Sequence, residues 1–325
     1  MSRPWQFILV GMVSLLGAGI ATRAAAQQPQ PGSPKIQVVA TIKPVHSIVA
    51  AVMQGVATPK LLIDGVASPH TFTLKPSDAK ALGNADIVFR VSESLEPFTV
   101  KLAEALPKRV RLVTLEKTPG LNLHKIRTGS TFESHDHGKG HGHGHKHAGH
   151  EDGIDGHIWL DPMNVKVLAK AIAETLAVAL PAEAGRFRGN VEAFNARVDA
   201  LIPEIETAVK PLAGKNYLVF HDAYQYFERR FGLQPVGSVT VSPEVPASAR
   251  RIAALRRKVA DLKVECIFAE PQFAPKVIDP IVEGSTVRRG VLDPLGAAIT
   301  AGPDHYVTLI KSLSNDLHAC LAKPS

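Results

Sequence analysis

The chain has 325 residues, with 37 Lys and Arg against 30 Asp and Glu and a formal net charge of +7. Its basic residues are scattered and not interleaved with aromatics, which argues against a nucleic-acid surface, and its two cysteines, without a Cys-x-x-Cys pair, argue against a thiolate zinc site or a dithiol redox enzyme. With 45% apolar residues the chain can bury more than one core, and two domains are expected.

Arg3, the apolar stretch from Phe7 to Ile20 and the small-residue triplet Ala24-Ala25-Ala26 before Gln27 read as a secretory signal peptide over residues 1–26. The stretch is short for a membrane span, no second candidate follows it, and no cysteine near the cleavage point is placed to carry a lipid. The expected product is a free soluble protein of the periplasm. Loss of Arg3 and Arg23 takes its formal charge from +7 to +5.

Beyond the leader, β-branched runs at Ile36 to Ile42, Leu61 to Ile63, Ile87 to Val91 and Val110 to Leu115 alternate with helical segments rich in Ala and Leu, which predicts a parallel sheet. Residues from about 116 to 156 have almost no apolar periodicity and are expected to form a long, mobile surface loop. Within it His135, His137, His141, His143, His145, His147 and His150 are interleaved largely with glycine. Neutral imidazole is a good ligand for zinc, copper and nickel, and a glycine-rich backbone lets several rings gather round one ion. The run therefore reads as an auxiliary metal-binding loop, since a solvated linker would draw on Ser, Pro, Glu or Lys instead.

A helix is expected after Asp161-Pro162, where the carboxylate caps and proline occupies the first turn. The longest helical pattern follows. Phe187, Val191, Phe194, Val198, Leu201, Ile205 and Val209 recur at steps of three or four residues and tolerate Pro203 as a local kink. Strand runs then restart at Tyr217 to Phe220, Val236 to Val241, Cys266 to Ala269 and Val287 to Leu292, which implies a second parallel sheet. The expected fold is α/β: a lobe over residues 35–182, a long rigid joining helix over 183–210 and a second lobe over 211–325, each lobe a parallel sheet flanked by helices. An even cysteine count in an oxidising compartment favours one disulfide, Cys266 to Cys320, over two free thiols, and it would pin the C-terminal helix to a core strand.

Outside the loop, the histidines are informative by position. His70 follows the strand run at 61–63, His157 opens His-Ile-Trp-Leu-Asp-Pro and His221 ends Tyr-Leu-Val-Phe. Asp293 has the same placement in the second half, after Val-Leu. Open α/β sheets bind ligands beyond the carboxyl ends of their strands, so residues distant in sequence can meet in one crevice. Taken singly, each histidine is more often a hydrogen-bonded structural residue than a ligand.

At these residues a resemblance appears. Asp64-Gly-Val-Ala-Ser-Pro-His70 with Leu74-Lys-Pro-Ser-Asp78, His157-Ile-Trp-Leu-Asp-Pro162, His221-Asp-Ala-Tyr-Gln-Tyr-Phe-Glu228, Phe268-Ala-Glu-Pro-Gln-Phe273 and Leu292-Asp-Pro-Leu-Gly296 resemble segments of zinc-specific periplasmic binding proteins of ABC transporters, the ZnuA type within the cluster A-I metal-binding family. The likeness covers nearly the whole mature chain in the family's order. It implies two α/β lobes joined by a rigid helix with Zn2+ between them, delivered to an inner-membrane ABC permease with its cytoplasmic ATPase. The histidine-rich loop and a cysteine pair placed like Cys266 and Cys320 are further points of likeness.

Carried over residue by residue, the resemblance makes His70, His157 and His221 the zinc ligands. Some members use a glutamate just before the first histidine, where this chain has Pro69. Asp293 matches a carboxylate that manganese-binding relatives use. It can ligate directly, act through water or merely face the site. Three imidazoles and one oxygen satisfy tetrahedral zinc, whereas manganese prefers more oxygen ligands. Asp222, Glu228 and Glu270 are candidates to orient an imidazole through its other nitrogen, while His46, His124, His305 and His318 are read as structural. An open zinc position also describes a hydrolase, but the chain has neither a His-Glu-x-x-His helix nor a Gly-x-Ser-x-Gly turn, so no enzyme is expected. A periplasmic zinc buffer acting through the loop alone is the other alternative. A monomer that binds no nucleic acid is expected.

Overall fold

The structure, a computed structural model, describes residues 36–127, 132, 153–240, 243 and 247–322. The expected signal peptide and all of the histidine run at 135–150 lie outside these residues. The first half runs β1 (Val38–Ala40), α1 (Lys43–Val52), β2 (Lys60–Leu61), α2 (Pro76–Asn84), β3 (Ile87–Arg90), α3 (Phe98–Ala105) and β4 (Arg111–Thr114). After α4 (Pro162–Ala179) and α5 (Ala184–Val209) come β5 (Tyr217–His221), α6 (Gln225–Phe231), β6 (Gly237–Thr240), α7 (Ala249–Asp261), β7 (Cys266–Ala269), α8 (Asp279–Val282), β8 (Arg288–Val291) and α9 (His305–Leu321). Each apolar run picked out in the sequence becomes a strand. The run at 61–63 is shifted, pairing as Lys60–Leu61 at a sheet edge.

Both sheets are parallel and have the same winding, β2-β1-β3-β4 and β6-β5-β7-β8. Helices cover the faces, so β1, β3, β5, β6 and β7 are buried along their whole length, and this is why they read as continuous apolar runs without alternation. In each sheet the strand order turns back on either side of the first strand. That switch leaves a crevice at the carboxyl ends of β1 with its neighbours in one sheet and of β5 with β6 and β7 in the other.

The helix α5 is 26 residues long and buries all seven residues of the predicted stripe, from Phe187 to Val209. Pro203 lies inside it without breaking it. Pro203 and Asp199, whose carbonyl loses its helical N–H partner, are both exposed, and Thr207 Oγ1 donates to the Pro203 carbonyl at 2.8 Å. α5 packs against α1, α4 and α9. One apolar core is therefore continuous from Ile48 of α1 through Leu168 and Phe194 to Phe268 and Leu313, and a smaller core around Leu218, Val239, Leu255 and Ile267 fills the far side of the second sheet.

The last helix ties the halves together. Tyr306 N of α9 donates to Ser47 Oγ of α1 at 2.9 Å, and Cys320 of α9 is disulfide-bonded to Cys266 of β7 with a Cα–Cα distance of 6.2 Å. The expected 116–156 loop is narrower than its polarity suggests. Residues 115–117 make a 3-10 turn, Lys125 bridges Ile154 antiparallel, Ile126 N donates to Gly153 O at 3.0 Å and Asp155 N to His124 O at 2.9 Å. Backbone pairing at the two ends of a polar segment leaves no mark on apolar periodicity, which is why the sequence reading spread the loop over both flanks.

Candidate metal centre

His221 is the last residue of β5, at the switch point of the second sheet. His70 lies in the loop between β2 and α2, with its backbone N–H donating to Ser68 Oγ at 3.3 Å. His157 stands just before a 3-10 turn, Ile158–Leu160, whose three side chains are fully buried and set the direction of the chain into α4. Asp161 then caps α4 by accepting from Met163 N at 2.9 Å and accepts from Nε and Nη2 of Arg230 at 2.8 Å each, which fastens the turn to α6.

These three histidines converge. Their ligating nitrogens all lie within 4.8 Å of one another, and the ring centroids are 5.5, 5.5 and 5.1 Å apart. His157 Nε2 and His221 Nε2 are 3.2 Å apart, close to the roughly 3.4 Å expected between two nitrogens on one tetrahedral zinc with bonds near 2.05 Å. The same spacing suits either an N–H···N hydrogen bond between the rings or two nitrogens sharing one metal ion. Trp159, Phe273, Pro294 and Leu295 wall the pocket, whose ≈ 10 Å³ of interior suits one small ion and no organic substrate.

Carboxylates fix two of the rings from behind. His221 Nδ1 is 2.7 Å from Glu270 Oε1, as expected of Glu270, which lies just past β7. Burial pushes the Glu270 carboxyl up to about 8, against the His221 amide and the neighbouring imidazoles that favour its ionised form. His157 Nδ1 is 2.7 Å from Asp155 Oδ1, which also accepts the His157 backbone N–H at 3.0 Å. Burial pushes Asp155 up, but His157 and a 3.2 Å hydrogen bond from Gln225 more than offset it and hold the carboxyl below its ordinary range. An ionised Asp155 keeps the proton on Nδ1 and leaves Nε2 to face the pocket.

Asp155 was missed in the sequence reading, although Asp155-Gly-His157 carries a signal. A residue two positions before a histidine can reach both its amide and its ring, provided the residue between is small. Gly156 meets that condition: a Cβ there would sit 3.0 Å from Leu95 Cβ and 3.1 Å from Ser92 Oγ. Replacing Asp155 or Glu270 by Ala should weaken metal binding by about 10- to 100-fold, measured by competition with a chelator of known affinity.

The other expectations divide. Asp293 is not brought into the histidine group. Its Oδ1 accepts from Gln272 Nε2 at 2.8 Å and from Leu295 N and Gly296 N at 3.0 Å each, and its Oδ2 from Ala297 N at 2.6 Å. The carboxylate that follows β8 is thus engaged in folding the 294–297 turn. Asp222 and Glu228 do not orient an imidazole either. Both hold Arg127: Asp222 takes its Nε at 2.9 Å and Glu228 its Nη2 at 2.8 Å. His46 Nε2 lies 3.1 Å from Pro59 O and His305 Nε2 lies 3.2 Å from Gly296 O, so both are structural.

Comparison with known proteins agrees with this arrangement. The family model described as zinc-uptake complex component A, periplasmic, matches residues 38–320. The high-affinity zinc uptake system protein ZnuA of Brucella suis biovar 1 is 45% identical over 306 residues, covering 88% of this chain and 92% of the relative, and that of Yersinia pestis is 36% identical over 291 residues, covering 87% and 91%. Among solved structures, the periplasmic zinc-binding protein TroA of Treponema pallidum shares the fold with a TM-score of 0.73 at 24% identity, covering 89% of this chain and 100% of that one. A ZnuA crystal structure gives 0.72 at 22% identity, covering 88% and 99%. With the match running from β1 to α9, the chain belongs to the ZnuA family of periplasmic zinc-uptake components.

Proposed function

We propose that this chain is a periplasmic zinc receptor that captures Zn2+ with His70, His157 and His221 and hands it to an inner-membrane ABC permease driven by a cytoplasmic ATPase. The observation that carries the reading is the meeting of three imidazoles in a pocket the size of one ion, two of them backed by buried carboxylates. A nitrogen-only protein set with one position left for water suits zinc and disfavours manganese. No helix among the described residues is long and apolar enough to cross a membrane, so import needs separate membrane partners. Residues 35–182, 183–210 and 211–325 act as lobe, joining helix and lobe of a monomer. His135, His137, His141, His143, His145, His147 and His150 add sites that hold Zn2+ more weakly than the cleft.

Zinc should displace protons. With its pKa near 8, Glu270 holds a proton at pH 7 in the zinc-free protein, and a dication on His221 requires the proton on Nδ1 with an ionised carboxylate as acceptor. Loading at pH 7 should therefore release about one proton from this pair, read as the dependence of calorimetric heat on buffer ionisation enthalpy. Affinity should fall as pH falls, because the proton-bound form gains on the metal-bound one. Heats independent of the buffer would contradict this.

Metal titration with bound-metal analysis tests the function itself. Protein lacking residues 135–150 should retain one tight zinc, whereas a buffer acting through the loop would lose its binding. Cells without the protein should fail to grow under zinc limitation.

A further inference from the structure

Two loops from opposite halves wall the metal pocket, one through Ser68, Pro69 and His70 and the other through Pro294 and Leu295. Both are attached to a single buried cation. Lys43, in the first turn of α1, is 6% exposed, and its ammonium donates to Ala297 O at 2.7 Å and to Ile299 O at 3.0 Å, both on the second loop. Its third contact is an ion pair with Asp64 Oδ1 at 3.0 Å, at the start of the first loop. An ammonium has three N–H groups, and here three acceptors drawn from both halves receive them.

We propose that Lys43 is a positioning residue that sets the width of the metal cleft and so the rate at which zinc leaves it. The reasoning is geometric. For the cleft to widen on the His70 side, the Asp64–His70 loop must move away from the 294–299 loop, and that separation pulls a buried charge off either a carboxylate or two carbonyls. Stripping partners from a charge removed from water is far more costly than breaking the same contacts at an exposed site. Asp293 stiffens the other side of the clamp, since its carboxylate folds the turn that presents Ala297 O to Lys43. Another interlobe contact in this wall, Trp159 Nε1 to Pro294 O at 2.9 Å, is a neutral hydrogen bond and resists less.

The inference rests on the zinc-receptor reading above. It is tested on the full mature chain loaded with one equivalent of zinc and mixed with excess chelator, following the slow release phase. Lys43→Met removes all three bonds and should speed release by about tenfold, since changes within one binding site appear mainly in the off-rate. Asp64→Asn removes only the tether to the His70 loop. Its side chain is 72% exposed, so a merely structural ion pair would leave both melting temperature and release unchanged. Here Asp64→Asn should release zinc about threefold faster with a melting temperature within about 2 °C of the unaltered protein. If Lys43→Met fails to fold, Asp64→Asn decides alone. Normal cleft binding with unaltered release in the folded variants overturns this inference and leaves the receptor reading standing. Absence of cleft binding in the unaltered protein overturns both.

Discussion

His157→Ala should weaken zinc binding by about a thousandfold, near 4 kcal/mol, in protein lacking residues 135–150. The substitution removes one of the three histidines, and the same change takes from buried Asp155 the ring nitrogen 2.7 Å from its Oδ1. Water entering the space of the ring cannot replace a nitrogen donor held by a 3-10 turn of three buried side chains. Asp293→Asn provides the contrast. Asp293 stands outside the histidine group and shapes the neighbouring turn, so its replacement should lower affinity much less. Calorimetric titration of the two variants side by side checks the assignment. Equal losses would place Asp293 in the metal's first coordination sphere, against the geometry described here.

The second large effect concerns the disulfide. Cys266 and Cys320 close a loop with a sequence separation of 54, and in the chain-entropy account their bond stabilises the fold by about 4 kcal/mol. Replacing both by Ala should lower the unfolding free energy by that order in denaturant titration. The bond anchors β7, whose end presents Glu270 to His221, to α9, which packs on α1 and α5. Reduction should therefore also weaken zinc binding, and by less than loss of Glu270 itself. A double variant within about 1 kcal/mol of the parent would show that the shared core alone fixes α9.

The architecture was legible because its signals are local. Fully buried parallel strands are short apolar runs, and the stripe from Phe187 to Val209 repeats so regularly that the burial of every member could be read in advance. His221 is read at a strand end and His70 and His157 in loops leading to helices, but their meeting rests on the pairing order of two sheets, which no local pattern encodes; the family resemblance supplied it. What the sequence did not convey was how polar side chains are shared out. Asp222 follows β5 as Glu270 follows β7, and Glu228 lies in α6, yet both are claimed by Arg127, 95 residues from Asp222. Asp293 matched a family position, and the fold shows its carboxylate taking four N–H donors, three of them from the turn that follows it. Lys43 reads as one more helix-start lysine. Only the folded chain shows it buried between Asp64 and carbonyls more than 250 positions away.

The central claim is that three imidazoles and one water-derived oxygen hold a single zinc. X-ray absorption at the zinc edge, on protein lacking residues 135–150 and loaded with one equivalent, tests it most directly. Four light-atom ligands at about 2.0–2.1 Å with the outer-shell scattering of three imidazole rings are expected, and two rings after His157→Ala. A spectrum dominated by oxygen ligands, or one that His157→Ala leaves unchanged, would contradict it.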